Sequence, residues 1–128
     1  MPRSDLKSDQ TELVVLSVLA AEPLYGYAIG KRVAEMSAGA LKLGPSRLYP
    51  LLSKLEQSKL VTTSWEEVKA ANADAGSDGR RRKWYRLTAK GTQRLAQRIE
   101  QHRRQMSLIE RFIETAGPDA VSVEGAAS

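Results

Sequence analysis

Residues 45–58 read PSRLYPLLSKLEQS, and four leucines in this stretch stand at positions 48, 51, 52 and 55. Spacings of three and four residues place these leucines on one side of an α-helix. Pro45 suits the first turn of such a helix, and Pro50 is tolerated close to that turn, where no backbone partner is lost. The stretch therefore predicts a helix from Pro45 to about Ser58, with an apolar stripe toward the core.

Two further helices are predicted before this one. Asp9 suits the N-cap of a helix that runs to about Ala21 and is apolar on nearly all sides. After Pro23, a second helix is predicted from Tyr25 to near Gly39. Three short helices with tight connections indicate a helix-turn-helix.

Two strands are predicted after the third helix. Residues 60–67 and 83–87 are rich in β-branched and aromatic residues, which is typical of a hairpin. The connection, about residues 68–80, is small and polar and contains glycine, so we expect a mobile wing loop. Trp84 and Tyr85 lie on opposite strand faces, so one should pack into the domain and the other nearer the surface. Packing within the hairpin is the main interpretation of Trp65 and Trp84, with ligand stacking as the alternative.

A long helix is predicted at the C-terminal end of the pattern. Thr88 suits its N-cap, and Gly117-Pro118 suits its stop. The chain then divides into a flexible start (1–8), a winged helix-turn-helix domain (9–88), a C-terminal helix (89–116) and a disordered tail (117–128). The predicted fold class is mainly α with a small β-hairpin (α+β).

The charge is distributed unevenly along the chain. The net charge is +5 over 128 residues, and the segment 80–104 holds ten of the twenty Lys and Arg residues against one acid. That segment carries +9 and the rest of the chain −4. Such segregation attracts a polyanion, although a solvated basic helix face is the competing interpretation.

The composition excludes several classes of function. The chain has no cysteine and one histidine, which leaves no thiol chemistry, disulfide or histidine-pair metal site. No run of eighteen apolar residues occurs, and the polar N-terminus lacks a signal-peptide core. We therefore expect a cytoplasmic protein that is not an enzyme, does not contact a membrane and needs no cofactor or metal.

The outer face of the third helix is the first candidate site. Its side chains suit double-stranded DNA: hydroxyl groups and Lys54 can contact phosphates, and Arg47 can contact either a guanine edge or a phosphate. An ordinary solvated face is the alternative. The side chains left outside the leucine stripe are Ser46, Arg47, Tyr49, Pro50, Ser53, Lys54 and Gln57.

The second candidate site is the wing. Four consecutive cations, Arg80, Arg81, Arg82 and Lys83, stand at the mouth of the second strand. Like charges at this density repel one another unless an anion neutralises them, and DNA phosphate or the minor groove is the obvious partner.

The third candidate site is a seam in the last helix. Its members step by four and three residues, which is the spacing that pairs helices. Packing onto the protein's own first helix competes with homodimer formation, and both hold if the early part docks internally and the later part pairs with a second copy. The seam residues are Leu95, Ile99, His102, Met106, Ile109 and Ile113, and Phe112 beside them is the remaining predicted dimerisation residue.

Three blocks of sequence resemble one known family. They are LYGYAI at 24–29, SRLYPLLSKLE at 46–56 and RRKWYRLTAKG at 81–91. In this order and spacing they resemble the PadR-like transcriptional regulators, over roughly residues 10–105. The chain has a single C-terminal helix, as in short members, and carries Lys59 where the family usually has the glycine that stops the third helix.

The resemblance implies a prokaryotic, dimeric, usually repressing regulator, with the third helix in the major groove and the wing on the backbone or minor groove. It also places Tyr25 and Tyr27 with Ser46, Arg47 and Tyr49 at or near the DNA-facing surface. Some members bind aromatic acids or planar drugs at the dimer interface, so a small aromatic or hydrophobic effector is a candidate partner.

A protein-interaction module is the alternative function. Winged-helix folds can present the same surface to an acidic protein. Salt dependence separates the two functions, because binding to several phosphates weakens steeply as salt rises.

Overall fold

The computed structural model describes residues 6–67 and 81–127, and of residues 118–127 only the backbone is described. The wing loop predicted at 68–80, including Arg80, and residues 1–5 of the predicted flexible start lie outside the described residues. The elements are α1 (Ser8–Ala21), β1 (Leu24–Tyr25), α2 (Gly26–Met36), α3 (Pro45–Gln57), β2 (Val61–Glu67), β3 (Arg81–Leu87) and α4 (Ala89–Ala127). The predicted class, mainly α with a small antiparallel sheet and a long last helix, is confirmed.

The chain forms two compact units, residues 1–96 and residues 97–128. The first unit contains the hydrophobic core, and the leucine stripe of α3 contributes Leu48, Leu52 and Leu55, each at most 2% exposed. Helix α1 is largely buried, as its apolar sequence predicts. The other buried apolar side chains are Val15, Leu16, Val18, Leu19, Leu24, Ile29, Val33, Leu60, Val61, Tyr85 and Leu95.

The sheet has three antiparallel strands in the order β1-β3-β2. The predicted hairpin is present as β2 and β3, and a third strand that was not predicted joins it: Leu24 and Tyr25 pair with Tyr85 and Trp84. A strand of two residues is too short to show a period, so no sequence pattern indicates it. β3 also begins at Arg81, two residues before the predicted start, which makes Arg81 and Arg82 strand residues.

The start of α1 differs from the prediction. The N-cap is Lys7, not Asp9, and its backbone N–H donates to Gln10 Oε1 at 3.0 Å. Asp9 lies instead in the first turn, where a carboxylate also interacts favourably with the helix dipole. The α4 cap is confirmed: the Thr88 hydroxyl accepts the Gly91 N–H at 3.0 Å.

Two contacts fix the beginning of α4 in the first unit. A Cβ atom at Gly91 would overlap the Leu60 carbonyl group, so only glycine allows this close approach. Arg94 Nη1 donates a hydrogen bond to Oε2 of the buried Glu12 in α1, at 3.4 Å, and the two side chains form an ion pair. The first two turns of α4 therefore belong to the core domain.

The second unit consists of the remainder of α4. The helix is interrupted at Gly117, which has φ 78° and ψ 162°, at the predicted stop. Such a positive φ favours glycine. The disorder predicted for residues 117–128 stays a prediction.

Candidate nucleic-acid interface

The solvent face of α3 is polar and is bordered by two flanks. Successive helix residues rotate by about 100°, so Ser46, Pro50, Ser53 and Gln57 lie opposite the buried leucines. All four are exposed. Arg47 and Lys54 occupy one flank, whereas Tyr49 and Glu56 occupy the other. The face thus presents hydroxyl and amide groups at its centre and charged or aromatic groups at its borders.

Arg47 bonds to its own chain. Its Nη2 donates to the Leu6 carbonyl oxygen at 3.0 Å and to the Thr11 hydroxyl at 3.1 Å. These bonds tie the first turn of α3 to the start of α1. A contact between Arg47 and DNA, base or phosphate, stays a prediction and requires these bonds to be released.

Tyr49 packs across the start of α2. A Cβ atom at Gly26 would lie 2.5 Å from the Tyr49 hydroxyl oxygen, so a bare backbone is needed at this position. Tyr49 nevertheless remains 44% exposed, although its hydroxyl end packs on the Gly26 backbone. The groove beside it has a volume of about 330 Å³ and is lined by Gly26, Tyr27, Gly30, Lys31, Leu43, Pro45, Leu48 and Tyr49.

An aromatic cluster occupies one face of β3. The Tyr25 ring contacts Trp84 edge-on, with centroids 5.2 Å apart, and stacks on Tyr27 at 6.5 Å. The Arg82 guanidinium lies over Tyr25 at 4.4 Å, and Trp84 Nε1 donates to Glu66 Oε1 at 2.8 Å. Tyr25 is half-buried in this cluster, whereas Tyr27 is 57% exposed.

The opposite face of β3 carries the other wing cations. Arg81 lies 4.2 Å from the centroid of the Trp65 ring, and Lys83 lies 5.7 Å from it. Lys83 Nζ also lies 3.2 Å from Glu56 Oε1 on α3. The run predicted as one patch is therefore divided between the two faces of the strand, and the Arg81 and Lys83 face adjoins α3.

Tyr85 anchors this second face in the core and is 5% exposed. Burial raises the pKa of its hydroxyl group above the ordinary value, and the neighbouring Tyr49 and Glu56 add to the shift. Trp84 is half-buried on the other face, so the predicted division into one inner and one outer aromatic is confirmed.

The predicted dimerisation residues are divided between the two units. Leu95 is 8% exposed within the first unit, so it packs inside its own chain and is not available to a partner. In the second unit, His102 is exposed and several apolar side chains are about half exposed or more. These are Met106, Leu108, Ile109, Phe112 and Ile113. Leu108 lies off the predicted seam and widens the apolar face.

Sequence reasoning missed three residues of this interface. Trp65 was interpreted as a packing residue but is 55% exposed and lies beside two cations. Trp65 lies two residues after Thr63 in β2, so alternation along the strand places both side chains on the same face. The Thr63 hydroxyl donates to Glu56 of α3, which shows that this face is the one toward α3. Glu56 and Gly26 act through partners distant in sequence, so no local pattern indicates them.

The described part of the chain offers no metal site and no membrane span. Within residues 6–67 and 81–127, no three His, Asp or Glu side chains gather so that they could hold a metal ion. No helix in that part is both long and apolar enough to cross a membrane.

The chain is similar to known proteins in both sequence and structure. The sequence model of the transcriptional regulator PadR-like family matches residues 15–97. A PadR family transcriptional regulator of Eggerthella lenta is 28% identical, with a TM-score of 0.64 over 84% of this chain and 86% of that one. A transcriptional regulator of Clostridium thermocellum shares the fold at 22% identity, with a TM-score of 0.69 over 82% of this chain and 94% of that one.

A longer protein is also similar in sequence. The 37.1 kDa protein of a Streptomyces fradiae transposon is 32% identical over 117 residues. The match covers 91% of this chain and 29% of that protein, so this chain spans under a third of that relative's length.

Proposed function

Because the chain belongs to the PadR-like family of transcriptional regulators, we propose that it binds a pseudo-palindromic operator in duplex DNA as a homodimer and represses transcription there. The observation that supports this proposal best is the position of Lys83, whose Nζ lies 3.2 Å from Glu56 of α3. This ion pair sets the cations of one face of β3 beside the exposed polar face of α3.

The two elements suit complementary tasks. The face of α3 can enter the major groove. Ser46, Ser53 and Lys54 lie on this face or its border, from which they can contact base edges and phosphates. Tyr49, packed on Gly26, offers a hydroxyl group at the border of that face. Arg81 and Lys83, on the face of β3 that adjoins α3, then contact the adjacent backbone and set the register of the helix.

Homodimer formation is proposed for the second unit. Five apolar side chains between Met106 and Ile113 are about half exposed or more, and a second copy can bury them. A two-fold dimer presents two copies of α3 to half-sites about one helical turn, roughly 10 base pairs, apart. The operator is therefore expected to be pseudo-palindromic.

Footprinting on DNA upstream of the protein's own gene tests the proposal. We expect one protected region with two related half-sites, and lower reporter transcription when the protein is present. Scrambling one half-site is the control, and it should abolish specific protection. The absence of any protected region at low salt, together with binding to acidic proteins, would favour the interaction module instead.

A further inference from the structure

The wing cations of β3 are held by different aromatic rings on opposite faces of the strand. Arg82 lies over Tyr25 on one face, whereas Arg81 and Lys83 lie over Trp65 on the other. Alternation along a strand separates neighbours in this way. Three consecutive cations therefore do not form one uniform surface.

Trp65 is unusual for its position. It lies on β2, an edge strand of the sheet, directly opposite Lys83 in the register, and is 55% exposed. Two cations approach its ring, Arg81 at 4.2 Å and Lys83 at 5.7 Å, and Lys83 also lies 5.6 Å from the Tyr85 ring. A tryptophan face attracts such cations more strongly than any other side-chain ring.

A carboxylate of α3 also holds one of these two cations, Lys83. Glu56 of α3 accepts from Lys83 Nζ at 3.2 Å and from the Thr63 hydroxyl at 3.1 Å. Lys83 thus lies between the Trp65 ring and α3. The long side chains of Arg81 and Lys83 are restricted before any DNA arrives, which lowers the entropy lost on binding.

We propose that Trp65 is a positioning residue for DNA binding, which holds Arg81 and Lys83 on the α3 side of the wing so that both engage the backbone next to the recognition helix. Arg82, on the opposite face with Tyr25, stabilises the aromatic cluster and contributes little to phosphate binding. This inference rests on the proposed function and assigns different roles to three adjacent cations.

The test is a salt titration of operator binding for the full-length protein and its variants. Trp65→Ala should weaken binding about two- to fivefold, the range expected for lost cation–ring attraction at an exposed site. It should also make the slope of log K against log salt shallower, by about 0.9 for each cation that no longer engages a phosphate. Trp65→Phe should retain most of the affinity and slope.

Two comparisons separate positioning from a structural role. Trp65→Ala should have no further effect in an Arg81→Ala, Lys83→Ala background, because nothing remains to be positioned. Arg82→Ala removes the same charge from the opposite face and should leave the slope at the wild-type value. Circular dichroism should show all variants folded at the assay temperature.

The outcomes are distinct. The positioning role would be overturned if Trp65→Ala kept the wild-type affinity and slope, or if its effect added fully to that of the cation variants. It would also be overturned if the Arg82→Ala slope were as shallow as that of Arg81→Ala. A wild-type protein that fails to bind duplex DNA at all would instead overturn the proposed function, and this inference with it.

Discussion

Lys59 adopts a left-handed backbone conformation, with φ 64°, directly after α3. The turn is closed by two bonds, from the Leu60 N–H to the Leu55 carbonyl at 2.9 Å and from the Lys59 N–H to the Glu56 carbonyl at 3.0 Å. This pattern is the Schellman motif, in which glycine is the usual residue. A lysine Cβ atom crowds the carbonyl group there, and the exit of α3 carries that strain.

Replacing Lys59 by glycine should therefore stabilise the protein. Lys59→Gly is expected to raise the free energy of unfolding by about 1 kcal/mol, less the entropy that glycine costs in the unfolded chain. Urea denaturation at fixed protein concentration measures the change. Lys59→Ala removes the charge but keeps the Cβ atom, so it should give no comparable gain; equal gains from both variants would assign the effect to charge.

Gly91 is the second residue whose role depends on a missing side chain. A Cβ atom there would overlap the Leu60 carbonyl oxygen, which also accepts the Thr88 N–H at 3.0 Å. Gly91→Ala must displace backbone and should cost about 2 kcal/mol or more. Thermal unfolding measures this loss. The exposed neighbour variant Lys90→Ala should change little, and a Gly91→Ala protein as stable as wild type would contradict the close approach.

Among the elements, α3 shows what periodicity can predict. Its leucine spacing and Pro45 indicated both the boundaries and the buried stripe, because tertiary packing agrees with the local pattern there. The same spacing predicted the exposed polar face of α3, whose contact with DNA stays a prediction. It could not indicate that Arg47 bonds to Leu6 and Thr11, because Leu6 precedes α1, Thr11 lies in its first turn, and the two are 41 and 36 residues from Arg47 along the chain.

The sheet shows where such prediction stops. The strand conformation of β1 depends on its pairing with β3, which is distant in sequence, and not on the character of its own two residues. The third strand therefore cannot be predicted from local sequence. β3 starts earlier than its β-branched and aromatic content suggests, because Arg81 and Arg82 pair with Glu67 and Glu66 across the ladder. Pairing of opposite charges on neighbouring strands compensates for weak intrinsic strand preference.

For the whole molecule, the exposed apolar face of α4 predicts assembly. Ile109 is 48% exposed and Phe112 is 71% exposed, and burying the exposed part of such a side chain gains about 1–2 kcal/mol. Ile109→Glu would place a charge from each copy in the proposed interface. We expect sedimentation equilibrium to show monomers of the variant where the wild type is dimeric.

A matched variant controls for added charge alone. Ser107 lies on the other side of the same helix from Ile109, so Ser107→Glu should leave the dimer intact. Dissociation by both variants, or a wild-type protein that is monomeric at micromolar concentration, would contradict pairing through this face.

In the proposed complex, the face of α3 and the Arg81 and Lys83 side chains of β3 bind duplex DNA together. The affinity of the full-length protein for operator DNA, measured across a range of salt concentrations, tests it most directly. We expect log K to fall linearly with log salt, with a slope of about −0.9 for each phosphate contacted, and so a slope of several units for a dimer. An affinity independent of salt, or no binding at low salt, would contradict it.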